Sequence, residues 1–201
     1  MRLLTRDERP ALTAGQPLIW TCTAGDGNGR TGLRQQARQL LSELLSCYLG
    51  QPASRLGLVF AAGQPPRLAA RWQGLSLSLS LSYCGELALV GLCPGTRIGI
   101  DLASVSLLPD WAGVARLYLG PQVSSRLARL ETDTRARQFA LAWAGMEASS
   151  KCLGLALEEW SAGRQQRLDA CQLSVSRVRW PAVPDGAEWA WALARGPGTD
   201  R

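Results

Sequence analysis

Leu75-Ser-Leu-Ser-Leu-Ser-Leu-Ser82 alternates an aliphatic with a hydroxyl residue at every step. Successive side chains of a strand point to opposite faces, so this stretch carries one apolar and one hydroxyl face. Gly74 and Gly85 flank it, which favours a strand over low-complexity coil. A strand with a single apolar face needs a layer packed on that face.

The neighbouring segments extend the pattern. Leu18 to Thr23 reads as a short buried strand, and Asp26-Gly-Asn-Gly29 as a turn. From Arg30 to Leu49 the residues Leu33, Ala37, Leu40, Leu41, Leu44, Leu45 and Tyr48 follow helical spacing, and Gly50 stops the helix. Arg30, Arg34 and Arg38 line its other face, either as a solvated stripe or as an anion site. Leu56 to Ala61 looks strand-like, before the turn Gly63-Gln64-Pro65-Pro66. Glu86–Cys93 and Arg97–Ala103 read as strands around Pro94-Gly95. Helices are expected over Pro109–Leu119 and Val123–Leu130. A long one, capped by Thr132 or Asp133, is expected to run to about Leu153 and end at Gly154. Leu173–Val178 and Glu188–Ala194 complete the strands, with a turn over Pro181–Gly186. The first sixteen residues read as an irregular lead-in and Gly196–Arg201 as a frayed tail.

Each half therefore holds one long helix and about three strands. Helices and antiparallel strand pairs are segregated, which gives an α+β class. Two similar lobes are expected, residues 1–99 and residues 100–201, each a long helix on a small, mostly antiparallel sheet. An approximate twofold axis should relate them, in structure only, since no sequence repeat is evident.

The chain has 201 residues, is 46% hydrophobic and carries a net charge of +6. That suffices for one large domain or two small lobes sharing a core. The basic balance is almost all Arg, suited to phosphate and carboxylate. No nucleic-acid motif accompanies it, so an anionic small molecule or an acidic protein is the expected partner. With no histidine, Ser-His and Cys-His pairs, His metal ligands and a His base are excluded. The six cysteines show no C-x-x-C spacing, so zinc is not expected. Without a signal peptide they read as buried, reduced thiols of a cytoplasmic protein. No apolar run approaches the roughly 20 residues of a membrane span.

Lys151 is the only lysine. An ammonium is a compact point charge where guanidinium is a wide fork, so a site that keeps Lys can be one that needs the small charge. Alternatively, one surface Lys has simply survived. On a helix Trp143, Glu147 and Lys151 share one stripe. Ile98-Gly-Ile-Asp101-Leu-Ala103 supplies a second carboxylate. Asp101 and Glu147 together could hold Mg²⁺, with Lys151 neutralising a phosphate, and either carboxylate could take a proton.

In this order and spacing the motifs resemble those of the surfactin-type 4′-phosphopantetheinyl transferases. The matching stretches are Gly63-Gln64-Pro65, Ser82-Tyr83-Cys84-Gly85, Gly99-Ile100-Asp101-Leu102-Ala103, and Trp143 through Glu147 to Lys151 with Gly154 beyond. The resemblance runs from about Arg30 to Ala194. It implies that family's fold and transfer of 4′-phosphopantetheine from coenzyme A to a serine of an acyl or peptidyl carrier protein. Asp101 and Glu147 are then the Mg²⁺ ligands, Glu147 is also a candidate base, and Lys151 contacts the pyrophosphate. Ser82 and Tyr83 face the coenzyme, and one or more of Arg30, Arg34 and Arg38 meets its 3′-phosphate. A monomer is expected.

Four positions depart from the family pattern. Gln64 replaces a Lys, Tyr83 a His, Ala103 an acidic metal ligand and Met146 a Lys. Three of the changes remove a cation or potential cation from around an anionic coenzyme, and the fourth removes a carboxylate. The alternative to an active transferase is a homologue that binds a carrier protein or enzyme without transfer.

Overall fold

β1 (Leu18–Thr23), α1 (Gly29–Leu49), β2 (Leu77–Cys84) and β3 (Leu87–Pro94) form the first half of the chain. The second half starts with β4 (Ile98–Ser104), α2 (Trp111–Val114) and α3 (Gly120–Ala128). It continues with α4 (Thr132–Leu153), α5 (Ala162–Leu168), β5 (Gln172–Arg179) and β6 (Glu188–Arg195). This computed structural model describes residues 2–23, 29–61, 63–179 and 187–196. The turns expected at residues 26–28 and 181–186, and most of the tail, lie outside that range.

Both sheets are antiparallel, ordered β1-β3-β2 and β4-β6-β5. In each, a long helix follows the first strand and the last strand is central. The α+β class is therefore present, with one connection order used twice.

Strand alternation sorts the side chains into layers. Ala88, Val90 and Leu92 of β3 join Leu33, Ala37, Leu40, Leu41, Leu44 and Leu45 of α1 in one core. Leu87, Leu89 and Cys93 point the other way. They meet Ile98, Ile100 and Leu102 of β4 and Trp189, Trp191 and Leu193 of β6. The remaining face of β6 packs under α4. The order is thus helix, sheet, sheet, helix, with a core at each contact.

The Leu and Ser faces of β2 follow the same logic. Leu77, Leu79 and Leu81 turn toward the α1 core. The hydroxyls meet β4, which is an edge strand of its sheet and presents backbone groups with no strand beside them. Ser78, Ser80 and Ser82 accept the N–H groups of Ile98, Ile100 and Leu102 at 2.9, 3.0 and 3.0 Å. A ladder of side-chain oxygens stands in for a neighbouring strand.

Several local expectations need correction. Leu56–Ala61 is not a strand; it makes one isolated bridge, Val59 to Arg67. β2 starts two residues late, because Ala70–Leu75 is a 3₁₀ helix and Ser76 has φ +46°. The Gly95 N–H donates to the Ser76 carbonyl there. Neither Thr132 nor Asp133 caps α4; Glu131 holds the N-cap position with no side-chain bond. The Pro109–Leu119 helix begins at Trp111, with Asp110 accepting from Gly113, and Ala115–Leu119 widens to a π-helix. α5 had no apolar period to announce it; its signal was Ser161, which accepts the Arg164 N–H. All six cysteines are free thiols, yet Cys47 is exposed on α1. No described helix is long and apolar enough to cross a membrane.

Gly99 has a steric task. A Cβ there would stand 2.0 Å from the Ala148 carbonyl oxygen and 2.4 Å from the Cys152 nitrogen. Both are backbone atoms of α4 and cannot swing aside. Gly99→Ala is expected to cost about 3 kcal/mol in urea unfolding. Gly163→Ala, where an added Cβ meets nothing within 4 Å, should be neutral or stabilising by up to about 1 kcal/mol in the same measurement.

Candidate active site

α4 lies close to the second sheet because its contact stripe is small. Ala140, Ala144 and Ala148 recur every four residues and meet Ala190, Ala192 and Ala194 of β6. Gly99 lets the helix backbone touch β4. Gly154, at φ +69°, ends the helix in a left-handed cap, and its N–H returns to the Lys151 and Ser150 carbonyls.

This approach delivers Lys151 to the edge of β4. Its Nζ donates to Asp101 Oδ1 at 2.6 Å, to the Ile100 carbonyl at 3.2 Å and to the Leu81 carbonyl at 3.4 Å. Three donors on one small cation thus tie α4 to both sheets. Ser82 Oγ donates to the same Asp101 oxygen at 2.9 Å. Ser82, Asp101 and Lys151 therefore form one hydrogen-bonded unit.

Glu147 sits one turn before Lys151 but does not pair with it. Among the described residues it makes no hydrogen bond or ion pair. Burial pushes its carboxyl above the ordinary value, the Asp101 charge adds to the rise, and Lys151 and Arg164 pull it back. Both bonds to Asp101 fall on Oδ1, which leaves Oδ2 clear of them. Two coupled carboxylates with unused oxygens suit Mg²⁺, which takes one or two carboxylates and keeps its waters. Ala103 packs against the alanine layer. No group of three or more His, Cys, Asp or Glu converges among the described residues. An ion here would rest on Asp101, Glu147 and water.

Tyr83 points away from this centre. It lies on the Leu face of β2, packed against the α1 core. The Arg34 guanidinium stands 5.8 Å from its ring centre, and Arg38 lies 4.8 Å over Phe60. Burial pushes the Tyr83 phenol up, while Arg38 and Arg34 hold it back. Arg30 is exposed at the start of α1. Tyr83, Arg34 and Arg38 thus gather apart from Asp101 and Lys151.

A cleft of about 610 Å³ opens between the lobes. Arg67, Arg97 and Lys151 line it, with Trp72, Ser78 and Thr96. Gln64 accepts a bond from Arg67 at 3.0 Å. Neither Arg67 nor Arg97 stood out in the sequence, since one follows a turn and the other opens an expected strand. The only hint was a cation three residues after Gln64. Arg164 was also missed. It is 2% exposed, donates to Ser150 Oγ at 2.9 Å, and reaches the Met146 sulfur at 3.8 Å.

Residues 97–196 match the family model for the 4′-phosphopantetheinyl transferase superfamily. A Synechocystis sp. protein, provisionally described as a 4′-phosphopantetheinyl transferase, is 28% identical over 122 residues. The aligned stretch takes in 61% of this chain and 48% of that relative, so the chain spans about half the relative's length.

The half-buried Glu147 has a consequence for stability. Its folded-state value is raised, so the native state binds the extra proton and loses stability as pH rises through that value. Glu147→Gln should raise the melting midpoint at neutral pH in metal-free buffer. The gain should vanish below the ordinary carboxylate value of 4.5. Thermal melts of both proteins across pH 4 to 8 read this directly.

Proposed function

The chain belongs to the 4′-phosphopantetheinyl transferase superfamily, and from that premise we propose that it moves 4′-phosphopantetheine from coenzyme A to a serine of an acyl or peptidyl carrier protein, with Mg²⁺, in the cytoplasm. One observation supports this most: Lys151 is bonded to Asp101, Glu147 interacts electrostatically with both, and Lys151 lines a cleft together with Arg67 and Arg97.

Each group has a task in that reaction. Asp101 and Glu147 would hold Mg²⁺, which would supply positive charge to the pyrophosphate. Lys151 adds a compact charge at the same place. Glu147 takes the proton of the carrier serine hydroxyl, directly or through a water, on a carboxylate oxygen the ion leaves free. The serine oxygen bonds to the β-phosphorus as the bond from that phosphorus to the bridging oxygen breaks. Adenosine 3′,5′-bisphosphate leaves with the electron pair. Arg67 and Arg97 stand ready for the remaining phosphate charge, offsetting the cations replaced by Gln64, Tyr83 and Met146.

Binding of a carrier protein without transfer is favoured by one feature. All three Lys151 donors are engaged inside the protein, as in a purely structural clamp.

Mass spectrometry of an apo carrier protein, incubated with coenzyme A and Mg²⁺, separates the two. Transfer is expected to add one phosphopantetheinyl group per carrier and to disappear in Glu147→Gln. Lys151→Arg should lower the rate at least tenfold, because the wider fork cannot reach both carbonyls and Asp101 together. Arg67→Ala and Arg97→Ala should each raise the KM for coenzyme A about tenfold or more. No transfer at millimolar coenzyme A, with no calorimetric coenzyme binding, would leave the binding-only reading.

A further inference from the structure

We infer that Ser82 is a positioning residue for Asp101 rather than a contact for coenzyme A, an assignment that rests on the metal-dependent reading above. Its hydroxyl is 3% exposed at the residue level and has a single hydrogen. That hydrogen goes to Asp101 Oδ1 at 2.9 Å, and the oxygen accepts the Leu102 N–H at 3.0 Å. Ser78 lines the cleft, whereas neither Ser82 nor the Asp101 it bonds is among the lining residues.

An aspartate carboxyl turns easily about its last torsion. Two donors on one oxygen stop that rotation and keep Oδ2 as the oxygen offered to a cation. Lys151 is one of these donors, but it is a long side chain that a pyrophosphate would draw away. Ser82 is short, buried and fixed by the backbone of the strand that carries Asp101. It holds the carboxylate in place when Lys151 turns to phosphate. A residue that orients a metal ligand commonly contributes 10- to 100-fold in metal affinity.

Ser80 provides the control. It makes the same kind of ladder bond, to the Ile100 N–H at 3.0 Å, with no carboxylate attached. Calorimetric titration of the full chain with Mn²⁺, alongside urea unfolding, tests the assignment. Ser80→Ala and Ser82→Ala should both lose stability, Ser82→Ala more because it also gives up the bond to the Asp101 carboxylate. Only Ser82→Ala should weaken Mn²⁺ binding, by about tenfold or more, and Ser82→Thr should restore it. If Ser82→Ala does not fold, Ser82→Cys, whose thiol is a weak donor, carries the same expectation. Equal Mn²⁺ affinity in the Ser80 and Ser82 variants overturns the inference. So does a Ser82 variant that loses coenzyme A affinity while keeping Mn²⁺ affinity. A natural chain that binds no Mn²⁺ removes the metal reading and this assignment together.

Discussion

The edge of β4 is the constraint around which the molecule is arranged. An edge strand that is buried against another layer cannot leave its N–H and C=O groups without partners. Here no strand completes the sheet. Ser78, Ser80 and Ser82 accept its N–H groups, and the Lys151 ammonium takes the Ile100 carbonyl. These bonds come from β2 on one side and α4 on the other. The two sheets and the long helix are therefore held in a single register by polar contacts, inside an otherwise apolar interface.

Close approach makes those contacts possible. A larger side chain at position 99, or in the alanine layer between α4 and β6, would lift the helix from the sheet. Lys151 would then fall short of β4, and Glu147 would lose the low-dielectric surroundings that raise its proton affinity. Small residues thus act at a distance from the Asp101–Lys151 pair, by setting the height of the helix that carries Lys151.

The unequal treatment of the two carboxylates follows from this geometry. Asp101 accepts from Ser82 and Lys151, while Glu147 stands partly buried with neither. Environment separates two chemically similar groups, one held by two donors and one with no hydrogen bond among the described residues. The basic side chains are similarly divided. Arg67 and Arg97 face the interlobe cleft, whereas Arg34 and Arg38 gather around Tyr83 and Phe60.

The sequence alone determined most of the element types and the motif residues, because periodicity is local. The Leu-Ser alternation, the heptad-like run from Leu33 to Tyr48 and the Gly154 stop each declare themselves within a few residues. The Gly-Ile-Asp strand and the Glu147–Lys151 spacing were legible for the same reason. Leu56–Ala61 misled, since apolar residues in a loop can pack on a core without a strand partner. Only the tertiary structure decided what each polar group bonds to. Spacing on a helix put Lys151 on one stripe with Glu147, but the approach of β4 gave it Asp101 and two carbonyls as partners. Likewise adjacency in sequence paired Ser82 with Tyr83, while the pleat sent one to Asp101 and the other to the arginines of α1. Pairings of this kind depend on how layers stack, and that is set by contacts between residues far apart in the chain.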